Sequence, residues 1–202
     1  MITLIKFDLW LMRWGLLFLV LFAPIAGTFF YTDFSVTGYV LVFVMSLSLT
    51  QMDEKQHVRR FMLSLPLPLQ AFFRARTLGV LFIGVVWLLL ESIGRFIGFS
   101  DITFADSFIQ IITRLATMMV LAPIVIAMFT MLSHPVLKWG LTITAYMVTV
   151  MIGGLLGAFM ESLTYLGTIG YVFIIAYLLL GAGMCWLILW LANKIRTRGD
   201  LV

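Results

Sequence analysis

Apolar residues fill this chain in six long blocks, roughly 14–32, 35–50, 77–97, 108–132, 139–160 and 169–192, separated by short polar or charged pieces. A helix needs about 20 mostly apolar residues to cross the hydrocarbon core of a bilayer. Each block therefore predicts a membrane-spanning helix. The second is the weakest, because it is short and carries Ser46, Ser48 and Thr50. The fourth is long enough to tilt. The pattern as a whole predicts an all-α polytopic membrane protein, one six-span domain over residues 1–202.

The first block resembles a secretory signal, with Lys6 and Arg13 before it and the small residues Ala23, Ala26 and Gly27 inside it. It is read as a retained anchor and first span. Ahead of it, residues 1–13 place Ile2, Ile5, Leu9 and Met12 at helical spacing, with Lys6, Asp8 and Arg13 between them. That predicts a short helix lying in the headgroup layer, its basic side chains reaching to water.

Composition strengthens the membrane reading. Hydrophobic residues are 63% of the 202 and charged residues 11%, with a mean hydropathy of +1.13. Soluble domains run about 45–50% apolar and about 25% charged, and a globule of this size cannot hide the difference. The net charge of +4 does not point to nucleic acid. The single cysteine, Cys185, lies deep in an apolar block, so no disulfide framework exists within one chain.

Orientation follows from the basic residues. With the N-terminus in the cytoplasm, the inner segments hold Lys6, Arg13, Lys55, Arg59, Arg60, Arg74, Arg76, Lys138, Lys194, Arg196 and Arg198. The outer side keeps only Arg95 and Arg114. Six spans then return the C-terminus to the cytoplasm.

The stretch 53–76, DEKQHVRRFMLSLPLPLQAFFRAR, breaks this pattern. Asp53 and Glu54 precede Arg59 and Arg60, the order a helix dipole favours. Val58, Phe61, Met62 and Leu65 recur as a helical stripe. Pro66 and Pro68 interrupt it, since proline lacks a backbone donor and restricts its predecessor. LQAFFRAR is expected to restart a short helix that feeds the third span. The apolar residues Leu67, Leu69, Phe72 and Phe73 beside Arg74 and Arg76 admit two readings. They form an exposed apolar knob rimmed by charge, which marks a protein contact, or they dip back into the bilayer with the arginines as anchors.

Asp53, Glu54, Lys55, Arg60, Ser64, Leu65, Pro66 and Arg76 resemble the cytoplasmic loop of small type-2 ABC exporter permeases. The opening KFDLWLMRW is similar to the interfacial helix that begins members of that family, and six spans in about 200 residues also match. The chain departs from the family at Leu69 and Gln70, where members often carry basic residues. The resemblance implies a multi-pass protein of a bacterial cell membrane, with both termini cytoplasmic. It implies a coupling helix, in which Leu67, Pro68, Leu69, Gln70, Phe72, Phe73 and Arg74 contact a cytoplasmic ATP-binding cassette subunit. It further implies a second permease copy or a paralogue, and amphipathic cargo such as bacteriocins or phenol-soluble modulins.

No G-x-x-x-x-G-K-[ST] phosphate loop occurs in the chain. ATP and magnesium are thus expected on the partner subunit, with no cofactor, metal or catalytic constellation here. Two other classes stay open: a stand-alone channel or secondary transporter, and a non-transporting scaffold or immunity protein.

Charges inside spans are costly and normally face protein or water. Glu91 and Arg95 are four apart and can pair. With Arg114 and Glu161 they are candidates for an outer gate or substrate path. Gly153 and Gly157 form a G-x-x-x-G that predicts close helix packing. Gly94 and Gly98 repeat the spacing, but next to a loop, where it carries less weight.

Overall fold

The computed structural model describes residue 10 and residues 13–29, 36–55, 69–99, 104–132 and 134–199. Side chains at 14, 52–55, 69, 70, 104–106, 161, 164, 166 and 196–199 stand outside that description. Six α-helices are present among the described residues. They are α1 (Arg13–Phe29), α2 (Thr37–Lys55), α3 (Leu69–Gly98), α4 (Phe104–Met131), α5 (Pro135–Ser162) and α6 (Thr168–Gly199). A 3-10 turn, Leu163–Leu166, joins the last two.

Local chemistry sets several of the boundaries. Helix α5 opens on Pro135, which sits where a missing backbone donor costs nothing. It closes into the 3-10 turn and then Gly167, whose φ of 64° lies in the left-handed region that residues with a Cβ avoid. Gly170 N–H donates back to the Gly167 carbonyl at 3.0 Å, starting α6. Helix α3 starts immediately after Pro68 and runs 30 residues. The expected short helix over LQAFFRAR and the expected third span are therefore a single helix. No proline follows Pro68 within it, and the interior glycines Gly79 and Gly84 do not break it.

Helices α3, α4, α5 and α6 are each long and apolar enough to cross a membrane. The apolar parts of α1 and α2, Gly15–Phe29 and Thr37–Gln51, are shorter. The described chain thus has four long candidate spans and two short apolar helices. Of the interfacial helix expected over 1–13, only Trp10 and Arg13 are described, and residues 56–68 of the charged segment also lie outside.

Contacts between helices fix their directions. Gly94 lies against Pro24 and Gly98 against Thr28, so α1 and α3 run parallel. Gly38 meets Trp87 and Gly84 meets Val42, so α2 runs opposite to α3. Gly153 meets Thr117 and Gly157 meets Thr113, so α5 runs opposite to α4. One end of the bundle therefore gathers Arg13, Arg76, Lys138 and Lys194. We call it the basic end; the opposite end holds Phe29, Thr37, Gly98 and Phe104.

Helix α4 is the centre, packed against α2, α3, α5 and α6, while α1 leans on α3. Leu19, Val42, Ile83, Met118, Leu121 and Ile126 make the core between them. Two of the three polar residues that weakened the second block turn inward, and Ser48 is half-buried. Ser46 and Thr50 are buried, and Thr50 donates to its own helix carbonyls of Ser46 and Leu47.

The outer faces of α5 and α6 carry the reverse pattern. Val136, Met147, Met151, Leu155, Ile169, Val172, Leu179 and Trp186 are all exposed. Water would not tolerate so continuous an apolar surface, so these four long helices suit a membrane-embedded protein. In lipid, apolar burial no longer drives helix association, and close contact at small residues takes over. Gly181 illustrates this, packed on the Ala116 backbone.

Candidate functional site

One face of α3 carries Phe73, Thr77, Val80, Gly84, Trp87 and Glu91, spaced as a helical stripe and all buried. Near the non-basic end the stripe turns polar. Glu91 is 1% exposed, Arg95 4% and Arg114 6%. Burying such charges costs several kcal/mol per ion unless they are paired and hydrogen-bonded, and here they are.

Both oxygens of Glu91 are engaged. Oε1 accepts from Arg95 Nη2 at 2.7 Å and from Arg114 Nη1 at 2.9 Å. Oε2 accepts from Trp87 Nε1 at 2.9 Å and, more loosely, from Thr37 Oγ1 at 3.5 Å. Arg95 Nη1 also donates to Gln110 Oε1. One carboxylate on α3 thereby ties α2 and α4 to itself. A cavity of about 10 Å³, room for one water, opens beside the cluster between Leu88, Ser92, Ser107, Gln110 and Ile111. The Ser107 hydroxyl, which is buried, has no hydrogen-bond partner among the described residues.

Backbone contact reinforces the same level of the bundle. Gly27 of α1 touches the Glu91 carbonyl, and Gly94 of α3 touches the Pro24 carbonyl. No Cβ fits at either place. The G-x-x-x-G of Gly94 and Gly98, set aside in the sequence as a loop-side repeat, is thus the α1–α3 seam.

Of the four charges read as a gate, the structure brings together Glu91, Arg95 and Arg114. Glu161 occupies the next-to-last position of α5, and its side chain is outside the description. Trp87, Gln110, Ser107 and Thr37 were missed. Trp87 and Gln110 were findable, since each lies one turn from a charge, four residues before Glu91 and Arg114 respectively. Thr37 carried no such signal, being 54 residues from Glu91.

The other predicted site lies at the basic end. Leu67 and Pro68 are outside the described residues, as are the side chains of Leu69 and Gln70. Phe72 is half-buried beneath Arg76, whose guanidinium carbon is 4.1 Å from the ring centroid. Arg74 is exposed. Phe73 departs from the expected exposed knob. It is 2% exposed and belongs to the core, because continuity with α3 puts it in register with Val80, seven residues on. Arg76, at 1% exposure, is likewise inside the bundle.

Gly153 and Gly157 face α4. A Cβ at Gly153 would run into the Thr117 side chain, and Gly157 has Thr113 Cβ within 3.9 Å of where a Cβ would stand. Thr117 Oγ1 also shares a hydrogen bond with Tyr177 OH at 3.1 Å, linking α4 to α6.

Four cation–π pairs occur among the described residues: Arg13 over Trp10, Arg76 over Phe72, Lys138 over Phe129 and Lys194 over Trp190. All four stand at the basic end.

Compared with family models, curated proteins and solved structures, the chain matches none.

Proposed function

We propose that the chain is the permease subunit of an ATP-driven exporter, with six spans and both termini in the cytoplasm of a bacterial cell. A cytoplasmic ATP-binding cassette subunit supplies ATP hydrolysis, and a second permease copy or a paralogue completes the pore. The cargo is amphipathic peptide or another hydrophobic molecule. The resemblance of the 53–76 segment motivates this reading, and the gathering of cations at one end of the bundle agrees with a cytoplasmic face there.

The observation that carries it is mechanical. Helix α3 is unbroken from Leu69 to Gly98. Its buried stripe runs from Phe73 at the basic end to Glu91 in the ion cluster, about 27 Å at 1.5 Å per residue. A displacement applied by a partner to the first turns of α3 is delivered along a stiff rod to the Glu91 cluster. In this reading that cluster is the outer gate, and the exposed Arg74 with the half-buried Phe72 remains on the contact surface.

The test is co-purification with a candidate ATPase subunit, together with stimulation of its ATPase activity. Leu69→Asp, Phe72→Asp and Arg74→Glu are expected to abolish complex formation or ATPase coupling while the chain still inserts. Undiminished binding and coupling in all three variants would refute the contact. Cargo movement by the purified chain alone in vesicles, without ATP, would refute the class.

A further inference from the structure

The four bonds to Glu91 are of two kinds. Trp87 and Arg95 stand one turn before and one turn after it on the same helix, so they travel with it. Thr37 and Arg114 belong to α2 and α4. We propose that the cluster is a reversible latch, in which α2 and α4 part from α3 by releasing the Thr37 and Arg114 bonds to Glu91 and the Arg95–Gln110 bond, while the Glu91–Arg95 ion pair stays whole.

Three features make such a release feasible. The first is charge. A buried carboxylate that loses its only cation is left uncompensated, which is what makes most buried pairs hard to break. Glu91 loses Arg114 and keeps Arg95, so no bare carboxylate is created. The second is space. The cavity of about 10 Å³ is lined by both arginines, and around it the Ser92 and Ser107 hydroxyls and the Gln110 side chain can meet the guanidinium and a water as they separate. The unpartnered Ser107 hydroxyl supplies a ready site for that water. The third is a fixed half. Gly27 and Gly94 put the backbones of α1 and α3 in contact at the level of Glu91, so α1 and α3 move as one body against α2 and α4. The latch deepens the reading of the cluster as the outer gate and does not require the ATPase partner, so its failure would remove the gate and leave the partner contact standing.

The experiment uses the full chain, purified in detergent, with Cys185→Ser and a reporter Ser107→Cys. The rate of labelling by a water-soluble maleimide reports opening. Thr37→Val and Arg114→Gln, which remove bonds between helices, are each expected to raise the rate about tenfold, the effect of losing one hydrogen bond to a charged group on an opening equilibrium. Trp87→Phe, which removes a bond within α3, is expected to leave it within about twofold on the same reasoning. A second reporter, Ala122→Cys in the core of α4, separates opening from unfolding. If Arg114→Gln exposes it, Thr37→Val decides, since that change removes only one hydroxyl. Equal acceleration by same-helix and between-helix variants would make the cluster a plain structural ion network and overturn the latch. No acceleration by Thr37→Val or Arg114→Gln would overturn it as well.

Discussion

Arg95 and Arg114 share a single oxygen atom. Arg95 Nη2 lies 2.7 Å, and Arg114 Nη1 2.9 Å, from Glu91 Oε1. Two guanidiniums can stand this close in a buried setting only because the carboxylate lies between them.

Removing that carboxylate should therefore cost more than removing either arginine. Glu91→Ala strips both cations of their common partner, and breaking a buried ionic group in this way typically costs about 3–5 kcal/mol. A triple replacement, Glu91→Leu with Arg95→Met and Arg114→Met, removes all three charges and is expected to recover most of that loss. Thermal denaturation of the purified chain measures both. A triple variant no more stable than Glu91→Ala would mean that packing rather than charge dominates the site.

The α1–α3 seam predicts a contrast among glycines. Gly94→Ala sets a methyl group against the Pro24 backbone, which cannot turn aside as a side chain can. The helices must separate, and monodisperse protein is expected to be lost. Gly79→Ala, in the same helix, meets nothing within 4 Å and should be neutral or stabilising by up to about 1 kcal/mol, the difference in helix propensity. Size-exclusion profiles of the two variants decide the matter.

Much of this architecture was legible in the chain. Hydropathy predicted an all-helical chain with long apolar helices, four of which are present among the described residues, because a backbone in lipid must satisfy its own hydrogen bonds and so leaves long apolar runs. The Glu91–Arg95 pair was readable from its spacing of four. What could not be read was which side of a helix meets another helix. In a chain apolar on every face, periodicity no longer marks the core. Gly94 therefore looked like a loop-side repeat and Phe73 like a surface knob. Gly94 was discounted for the loop beside it, and Phe73 for the arginines beside it, of which only Arg74 is exposed. Thr37 and Arg114 joined Glu91 only through tertiary packing, which no local spacing encodes.

Gly153 and Thr117 offer a compensation test. Gly153→Ala pushes a methyl group into the Thr117 side chain, with Cγ2 the nearest atom. Thr117→Ser removes that methyl and keeps the hydroxyl that pairs with Tyr177. The double variant should be more stable than Gly153→Ala alone, a coupling expected for residues in direct contact. Simple additivity in a thermal-melt cycle would show that α5 does not seat on α4 at this point.

Thr117 and Tyr177 also set the scale for a hydrogen bond in the interior of this bundle. Tyr177→Phe removes the phenolic partner at 3.1 Å and little else. Interhelical hydrogen bonds within membranes contribute about 0.6 kcal/mol on average and at most about 1.7. A loss in that range, measured by reversible unfolding, is expected. A loss well above it would mean that the tyrosine hydroxyl has further work in a larger polar network.

Two adjacent residues at the start of α3, Phe73 and Arg74, separate folding from contact. Phe73 is 2% exposed in the core, and truncating such a residue to alanine costs about 3–5 kcal/mol. Arg74, one residue on, is exposed, and Arg74→Glu should change stability by no more than about 0.5 kcal/mol. If the first turns of α3 receive a partner, the two variants must fail differently. Phe73→Ala should lower the melting temperature with or without the ATPase subunit. Arg74→Glu should melt normally alone and lose the stabilisation that bound partner confers. Arg74→Glu retaining full stabilisation by the partner would move the contact away from this turn, towards residues before Leu69.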